Sequence, residues 1–211
     1  MKENHAATSD TNLDHSDGSM SGAWQERYDA GKTGWDRGEP SPALLHWLNQ
    51  DTLSSCRILV PGCGRGHEVV ELASRGFEVT AIDIAMTPVR ELTHRLTKSD
   101  LVAEVLRKDV LGFSSSEPFD AIYEQTSLCA LEPGNWAAYE TRLHRCLKPG
   151  GRIFALLMQS NRHDAPPFHC ELRQIKQLFS DTRWSWSDDA FNVDHPSGMT
   201  EIATILTKRE S

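Results

Sequence analysis

Ile58-Leu59-Val60-Pro61-Gly62-Cys63-Gly64-Arg65-Gly66 is an apolar run that empties into a glycine-dense turn, with a helical pattern (Val69, Val70, Leu72, Ala73) directly behind it. The run is short enough for one buried strand. Glycine tolerates positive φ and carries no Cβ, so a ligand can press against bare backbone. The helix start beyond the turn offers unpaired N–H groups and a positive dipole end to a carboxylate or phosphate. The next strand-like run, Phe77-Glu78-Val79-Thr80-Ala81-Ile82-Asp83, ends in an acid. That acid comes roughly 20 residues after the first glycine, where a doubly wound sheet grips ribose hydroxyls. Loop and acid together point to a nucleotide-type ligand and leave open a nicotinamide dinucleotide or S-adenosylmethionine.

Composition narrows the class. A chain of 211 residues can bury one good core and is most simply one domain. Charged residues at 25% and hydrophobic ones at 38% are ordinary for a soluble globular protein. The net charge of −8 and the lack of a basic cluster exclude a nucleic-acid binder of the usual kind. Cys56, Cys63, Cys129, Cys146 and Cys170 form neither a CxxC pair nor a zinc spacing, which fits reduced thiols in a cytoplasmic enzyme. Cys63 reads as a small side chain filling a crowded turn. No apolar stretch approaches the length of a signal core or a membrane span. The expectation is a cytoplasmic, monomeric protein with no metal and no membrane or nucleic-acid partner.

Residues 1–20 are polar and acidic with almost nothing to bury, and are expected to form a disordered tail ahead of one domain over 21–211. Within 21–50 the aromatics Trp24, Tyr28, Trp35 and Trp47 suggest a lid: a short helix, a loop through 31–38, and a second helix capped by Ser41 with Pro42 in its first turn. Strands and helices then alternate. A helix over 68–75 stops at Gly76, and a strand over 77–83 precedes a helix over 88–97 with Thr87 as its cap. Strands over 102–108 and 119–123 follow, the second entering a loop over 124–132. A helix over 136–147 is halted by Lys148-Pro149-Gly150-Gly151 before an apolar strand over 152–158. A helix over 171–179 comes next, and the segments 182–187 and 200–208 read as a closing antiparallel hairpin. The pattern predicts an α/β protein with a single Rossmann-like, doubly wound, mainly parallel sheet of seven strands.

A dehydrogenase would need a second mononucleotide-binding half or a Tyr-x-x-x-Lys pair in a substrate portion, and the chain beyond the glycine loop shows no such pair. Instead, Lys148-Pro149-Gly150-Gly151-Arg152 before an apolar strand resembles the turn preceding the fifth strand of class I methyltransferases. That resemblance implies that Pro61, Gly62 and Gly64 hold the methionine part of S-adenosylmethionine. It implies that Asp83, with Ile84 beside it, takes the ribose hydroxyls, and that Asp109 and Val110 take the adenine edge. The N-terminal pattern Trp24-Gln25-Glu26-Arg27-Tyr28, then Gly31 to Gly38 through Trp35-Asp36-Arg37, resembles the thiopurine methyltransferase superfamily, in particular its halide and thiol methyltransferase branch. The resemblance continues through Pro61-Gly62-Cys63-Gly64 and Pro166-Pro167-Phe168. Tyr28 stands where that branch commonly has tryptophan, and Glu124 where it commonly has aspartate.

The activity implied is methyl transfer from S-adenosylmethionine to a small soft nucleophile: a thiol, a halide or a thiopurine-like sulfur. Aromatic faces suit a sulfonium, because the ring quadrupole attracts positive charge while excluding water. Trp24, Tyr28 and Trp35 are therefore expected over the cofactor, whereas Trp47 is expected in the core. Glu124 is expected to steady the cofactor's ammonium group, and Trp35, Glu124 and Tyr139 are the positioning candidates. The loop over 124–129 and the region of Met158 and Phe168 are expected to wall the acceptor. A soft acceptor that arrives as an anion needs no strong base. The alternatives are a small-molecule N- or O-methyltransferase, which needs a proton acceptor, and a noncatalytic S-adenosylmethionine-binding protein.

Overall fold

The computed structural model describes residues 20–210; most of the expected disordered tail lies outside them. Helix α1 (Met20–Asp29) leads through a loop to α2 (Pro42–Asn49), whose Ser41 caps it by accepting the Ala43 N–H. Then come β1 (Arg57–Pro61), α3 (His67–Ser74), β2 (Glu78–Asp83), α4 (Met86–Lys98), β3 (Glu104–Arg107) and β4 (Phe119–Gln125). The chain continues as α5 (Trp136–Cys146), β5 (Leu147–Gln159), α6 (Leu172–Leu178), β6 (Trp184–Trp186), β7 (Phe191–Asp194) and β8 (Thr200–Lys208).

The strands form one sheet in the order β3-β2-β1-β4-β5-β8-β6, with β7 also paired to β8. The first five strands are mutually parallel, and β8 runs antiparallel to β5, β6 and β7. The strand order reverses between β1 and β4, and the crevice beyond the carboxyl ends at such a switch point is where ligands enter open α/β sheets.

Three expectations change. The closing segment is not a two-stranded hairpin: 191–194 adds an eighth strand, and β6 and β7 share one edge of β8. β6 pairs with Leu206–Lys208 and β7 with Thr200–Ala203. Three-residue β6 covers only part of nine-residue β8, and β7 satisfies the backbone groups left along that edge. Second, Lys148–Gly151 is not a separate turn. It is an irregularity inside β5, where pairing jumps from Phe119–Leu147 to Ala121–Arg152 and Gly150 adopts φ +72. Third, α4 begins at Met86 and its cap position is Ala85, so Thr87 lies inside the helix. The capping acceptor comes from α1 instead: Gln25 Oε1 accepts the N–H groups of Met86 (2.8 Å) and Thr87 (3.3 Å). Sequence distance hides such a cap.

Side-chain alternation along the strands separates two cores. One face packs Leu44, Trp47, Leu72 and Leu92 of α2, α3 and α4 against Ile58, Val60, Ala81 and Phe154. The other packs Tyr139, Leu143 and Ile175 of α5 and α6 against Leu59, Ile122, Ile153 and Ala155. Each such large side chain contributes roughly 1.5–3 kcal/mol on burial. Trp47 is a core residue as expected, 2% exposed and edge-on to Phe154 at 5.2 Å.

Candidate functional site

β1 ends at Pro61, and the chain turns through Gly62 at φ +58, where a Cβ would lie 3.0 Å from the Ser127 side chain. At Gly66 (φ +68) a Cβ would come within 2.4 Å of Leu92, so only glycine lets α3 start against α4. Between them the loop is tied to β2: the Gly64 N–H donates to Asp83 Oδ2 at 3.0 Å, and the Ala85 N–H to Oδ1 at 2.9 Å. Burial pushes the Asp83 carboxyl up, against the pull of these N–H donors. Each oxygen still has a lone pair for a hydroxyl donor.

Two hollows open on either side of this loop. One is lined by Trp24, Asp83, Ile84, Lys108, Asp109, Val110, Ser127 and Leu131, among others. The other, more polar, is lined by Asp36, Arg37, Pro61, Cys63, Gly64, Glu68, Tyr123 and Gln125, among others. Tyr28, Trp35, Gly62 and Thr126 line both, and so form the throat between them. Trp35 stands edge-on to Trp24 (5.4 Å) and to Tyr28 (5.6 Å). Thr126 sits at φ +58, an uncommon conformation for a branched residue and one that clusters at functional sites. Burial drives the Tyr28 hydroxyl well above its ordinary value, so it stays a neutral donor.

The polar hollow is organised by ion pairs. Asp36 accepts from His67 Nε2 (2.9 Å), Arg65 (3.3 Å) and the Gly38 N–H (2.9 Å). Arg95 donates to His67 Nδ1 at 3.1 Å, which assigns the ring proton to Nε2 and a neutral imidazole. Burial lowers the His67 pKa, in keeping with that form. Glu68 Oε1 accepts the Ser41 N–H at 3.1 Å, and burial raises its carboxyl. Arg37 Nη2 donates to Glu201 Oε2 at 3.2 Å and to the Asp194 carbonyl.

The fold brings together Trp24, Tyr28, Trp35, Pro61, Gly62, Gly64, Asp83, Ile84, Asp109 and Val110 around the two hollows. It does not bring Glu124 or Tyr139 there. Tyr123 and Gln125 line the polar hollow, so the period of two along β4 turns Glu124 to the opposite face. There its Oε1 accepts the Leu128 N–H (2.7 Å) and the Tyr139 hydroxyl (3.4 Å). Met158 and Phe168 are likewise packed into the α5 and α6 core rather than walling a hollow. Burial raises the Cys63 thiol well above its ordinary value, which suits a packed side chain and not a nucleophile. Asp36, Arg37, His67, Glu68 and Tyr123 were not singled out as site residues. Asp36 and Arg37 lie in the quoted N-terminal pattern, but their partners lie up to 164 positions away. Among the described residues, no group of three or more His, Cys, Asp or Glu could hold a metal ion. Nor is any of their helices long and apolar enough to cross a membrane.

The family model for thiopurine S-methyltransferase matches residues 19–206. A protein of Arabidopsis thaliana described as "probable thiol methyltransferase 2" is 33% identical over 161 residues, covering 75% of this chain and 71% of the relative. A thiopurine S-methyltransferase of Vibrio atlanticus is 26% identical over 190 residues, covering 82% and 88%. Among solved structures, a 1,6-didemethyltoxoflavin-N1-methyltransferase of Burkholderia thailandensis superposes with a TM-score of 0.74 at 20% identity, covering 90% of this chain and 87% of the other. At that identity the likeness shows the shared fold.

Proposed function

The chain belongs to the thiopurine S-methyltransferase family, and on that premise we propose that this S-adenosylmethionine-dependent methyltransferase acts on a small soft nucleophile: a thiolate, a halide or a thiopurine-like sulfur. The observation that carries the reading is the throat. Its lining residues, Tyr28, Trp35, Gly62 and Thr126, include no carboxylate, imidazole or amine, and in the adjoining polar hollow Asp36 and His67 are engaged with each other while Glu68 accepts the Ser41 N–H. Nitrogen and oxygen acceptors that must lose a proton need such a base. A preformed anion does not.

The residues present fit the cofactor. Asp83 is a strand-end carboxylate with lone pairs to spare, suited to ribose hydroxyls, and Gly62 and Gly64 carry no Cβ to stand in the way. Ile84, Asp109 and Val110 bound the adenosine end of the same hollow, and Trp24, Tyr28 and Trp35 cover it. When bound, S-adenosylmethionine supplies an activated methyl group for in-line displacement by the acceptor's lone pair, leaving S-adenosylhomocysteine. The protein's part is positioning and water exclusion. Trp35 and Tyr28, packed edge to face with Trp24, line the throat, and aromatic rings beside a sulfonium favour the cation while excluding water. Asp36, held by three donors, fixes the loop that carries Trp35. Glu124 acts at one remove, pinning the start of the 128–130 turn behind Thr126 and Ser127 through the Leu128 N–H. The setting we propose is cytoplasmic and monomeric, with residues 21–50 as the lid of a single domain and no nucleic-acid partner.

Purified protein supplied with S-adenosylmethionine is expected to yield methyl iodide from iodide, methanethiol from bisulfide, or an S-methylated thiopurine. No turnover on any of these, beside rapid methylation of an amine or a phenol, overturns the reading.

A further inference from the structure

Arg37 follows Trp35 and Asp36 in the loop between α1 and α2, and its side chain lines the polar hollow with 12% of its surface exposed. Only Nη2 is engaged, by the fully buried carboxylate of Glu201 and by the Asp194 carbonyl. Nε is buried and has no hydrogen-bond partner among the described residues, and the same holds for Glu201 Oε1. A guanidinium offers five N–H donors in a rigid fork, and Nη1, which is not buried and has no partner among the described residues, remains for a further acceptor. A charged N–H left open in the hollow gains a stronger partner in an anionic acceptor than in water. The polar hollow meets the throat at Trp35 and Thr126, which brings this cation to the path of both reactants.

We infer that Arg37, braced by Glu201, is the anion-receiving group of the polar hollow, taking the negative charge of the acceptor or the carboxylate of the cofactor. A strut between the lid loop and the C-terminal strands is complete with Nη2 alone. It leaves the open, unpartnered Nη1 of this hollow-lining side chain without a role. Glu201 holds the fork in orientation while its own charge moderates the attraction, so a weakly hydrated monovalent anion is bound and released rather than trapped. The acceptor arm of this inference rests on the methyl transfer proposed above; the cofactor arm does not.

The test uses the full chain and its Arg37→Gln, Arg37→Lys and Glu201→Gln variants. Kd values for S-adenosylhomocysteine and for carboxylate-free adenosine come from calorimetry, and KM and kcat from thiocyanate turnover. If the acceptor is the source, Arg37→Gln raises the thiocyanate KM roughly ten- to hundredfold, as expected for a charged hydrogen bond, with kcat and both Kd values little changed. If the cofactor carboxylate is the source, the S-adenosylhomocysteine Kd rises by a similar factor while adenosine binds as before. In either case Arg37→Lys recovers much of the loss, and Glu201→Gln tightens the anion because the competing charge is gone. Three outcomes overturn the inference: Arg37→Gln matching wild type in every measure, equal loss of adenosine, or weakened anion binding in Glu201→Gln. Should Arg37→Gln not fold, the Lys and Glu201 variants decide. A wild type that turns over no soft acceptor overturns the proposed reaction instead, and the S-adenosylhomocysteine comparison still judges Arg37.

Discussion

Asp83 Oδ2 accepts the Gly64 N–H at 3.0 Å, so the acid ending β2 and the glycine turn after β1 form one rigid unit. The carboxylate that is proposed to take the ribose also holds the backbone that is proposed to cradle the rest of the cofactor.

Asp83→Ala therefore has two effects. It removes the hydroxyl acceptor, and it leaves the Gly64 and Ala85 N–H groups without their partners. Affinity for S-adenosylhomocysteine is expected to fall roughly ten- to hundredfold, with stability lower by about 1–3 kcal/mol. Asp83→Asn keeps one acceptor oxygen and should fall between. Calorimetry and thermal melts measure the two effects separately; unchanged affinity in folded Asp83→Ala rules out the ribose role.

Gln25 joins α1 to the start of α4. Its amide oxygen caps α4, and its amide nitrogen donates to the Thr87 hydroxyl at 2.6 Å and to Asp29 at 2.8 Å. Loss of a helix cap costs roughly 0.5–2 kcal/mol. In Gln25→Ala that loss should fall mainly on the α1–α4 junction, giving faster amide exchange over 20–29 and a several-fold weaker grip on S-adenosylhomocysteine. Wild-type exchange together with wild-type affinity would discard the latch.

Thr126 holds a left-handed conformation at the throat. Thr126→Gly should relieve backbone strain on the order of 1 kcal/mol. The same change strips a wall shared by both hollows, so turnover is expected to drop while the melting temperature holds or rises. A variant that loses stability and keeps its rate contradicts both halves of the argument.

Burial pushes the carboxyls of Glu124 and Glu201 up to about 7. A carboxyl with a raised folded pKa binds its proton more tightly in the folded state than in the unfolded one. Stability from these groups therefore falls as pH climbs from the unfolded value toward about 7, and is flat above. His144 and His195, lowered to about 4 by burial, act oppositely, but only below their unfolded value of about 6.5. The melting temperature is thus expected to be higher near pH 6.5 than near pH 8. Glu124→Gln should shrink that difference; an undiminished slope refutes the assignment.

With no base at the throat, the pH dependence of turnover belongs to the acceptor. For a thiol, kcat/KM is expected to rise with pH and level off above the thiol's own pKa, while iodide, already an anion, shows no such rise. Iodide turnover that rises with pH through neutrality would reveal a protein base, whereas a fall there is the signature of Glu201 losing its proton beside Arg37.

The parts of this protein legible from the chain are those whose physics is local. The apolar run into Gly62, Gly64 and Gly66, the acid at the end of the next strand, and the Ser41 cap each depend on neighbours within a few residues. They led to the sheet class and to the part of the cleft proposed for the cofactor. What tertiary structure alone decided depends on which distant groups meet. Alternation along β4 turned Glu124 into the core with Tyr139, because the position of the sheet's faces follows from packing and not from residue type. β7 joined the sheet because β6 is too short to cover β8. Gln25 replaced Thr87 as the cap of α4 across 61 positions, and Arg37 met Glu201 across 164. Such pairs leave no periodic trace in the chain, since the free energy that selects them comes from burying both partners together.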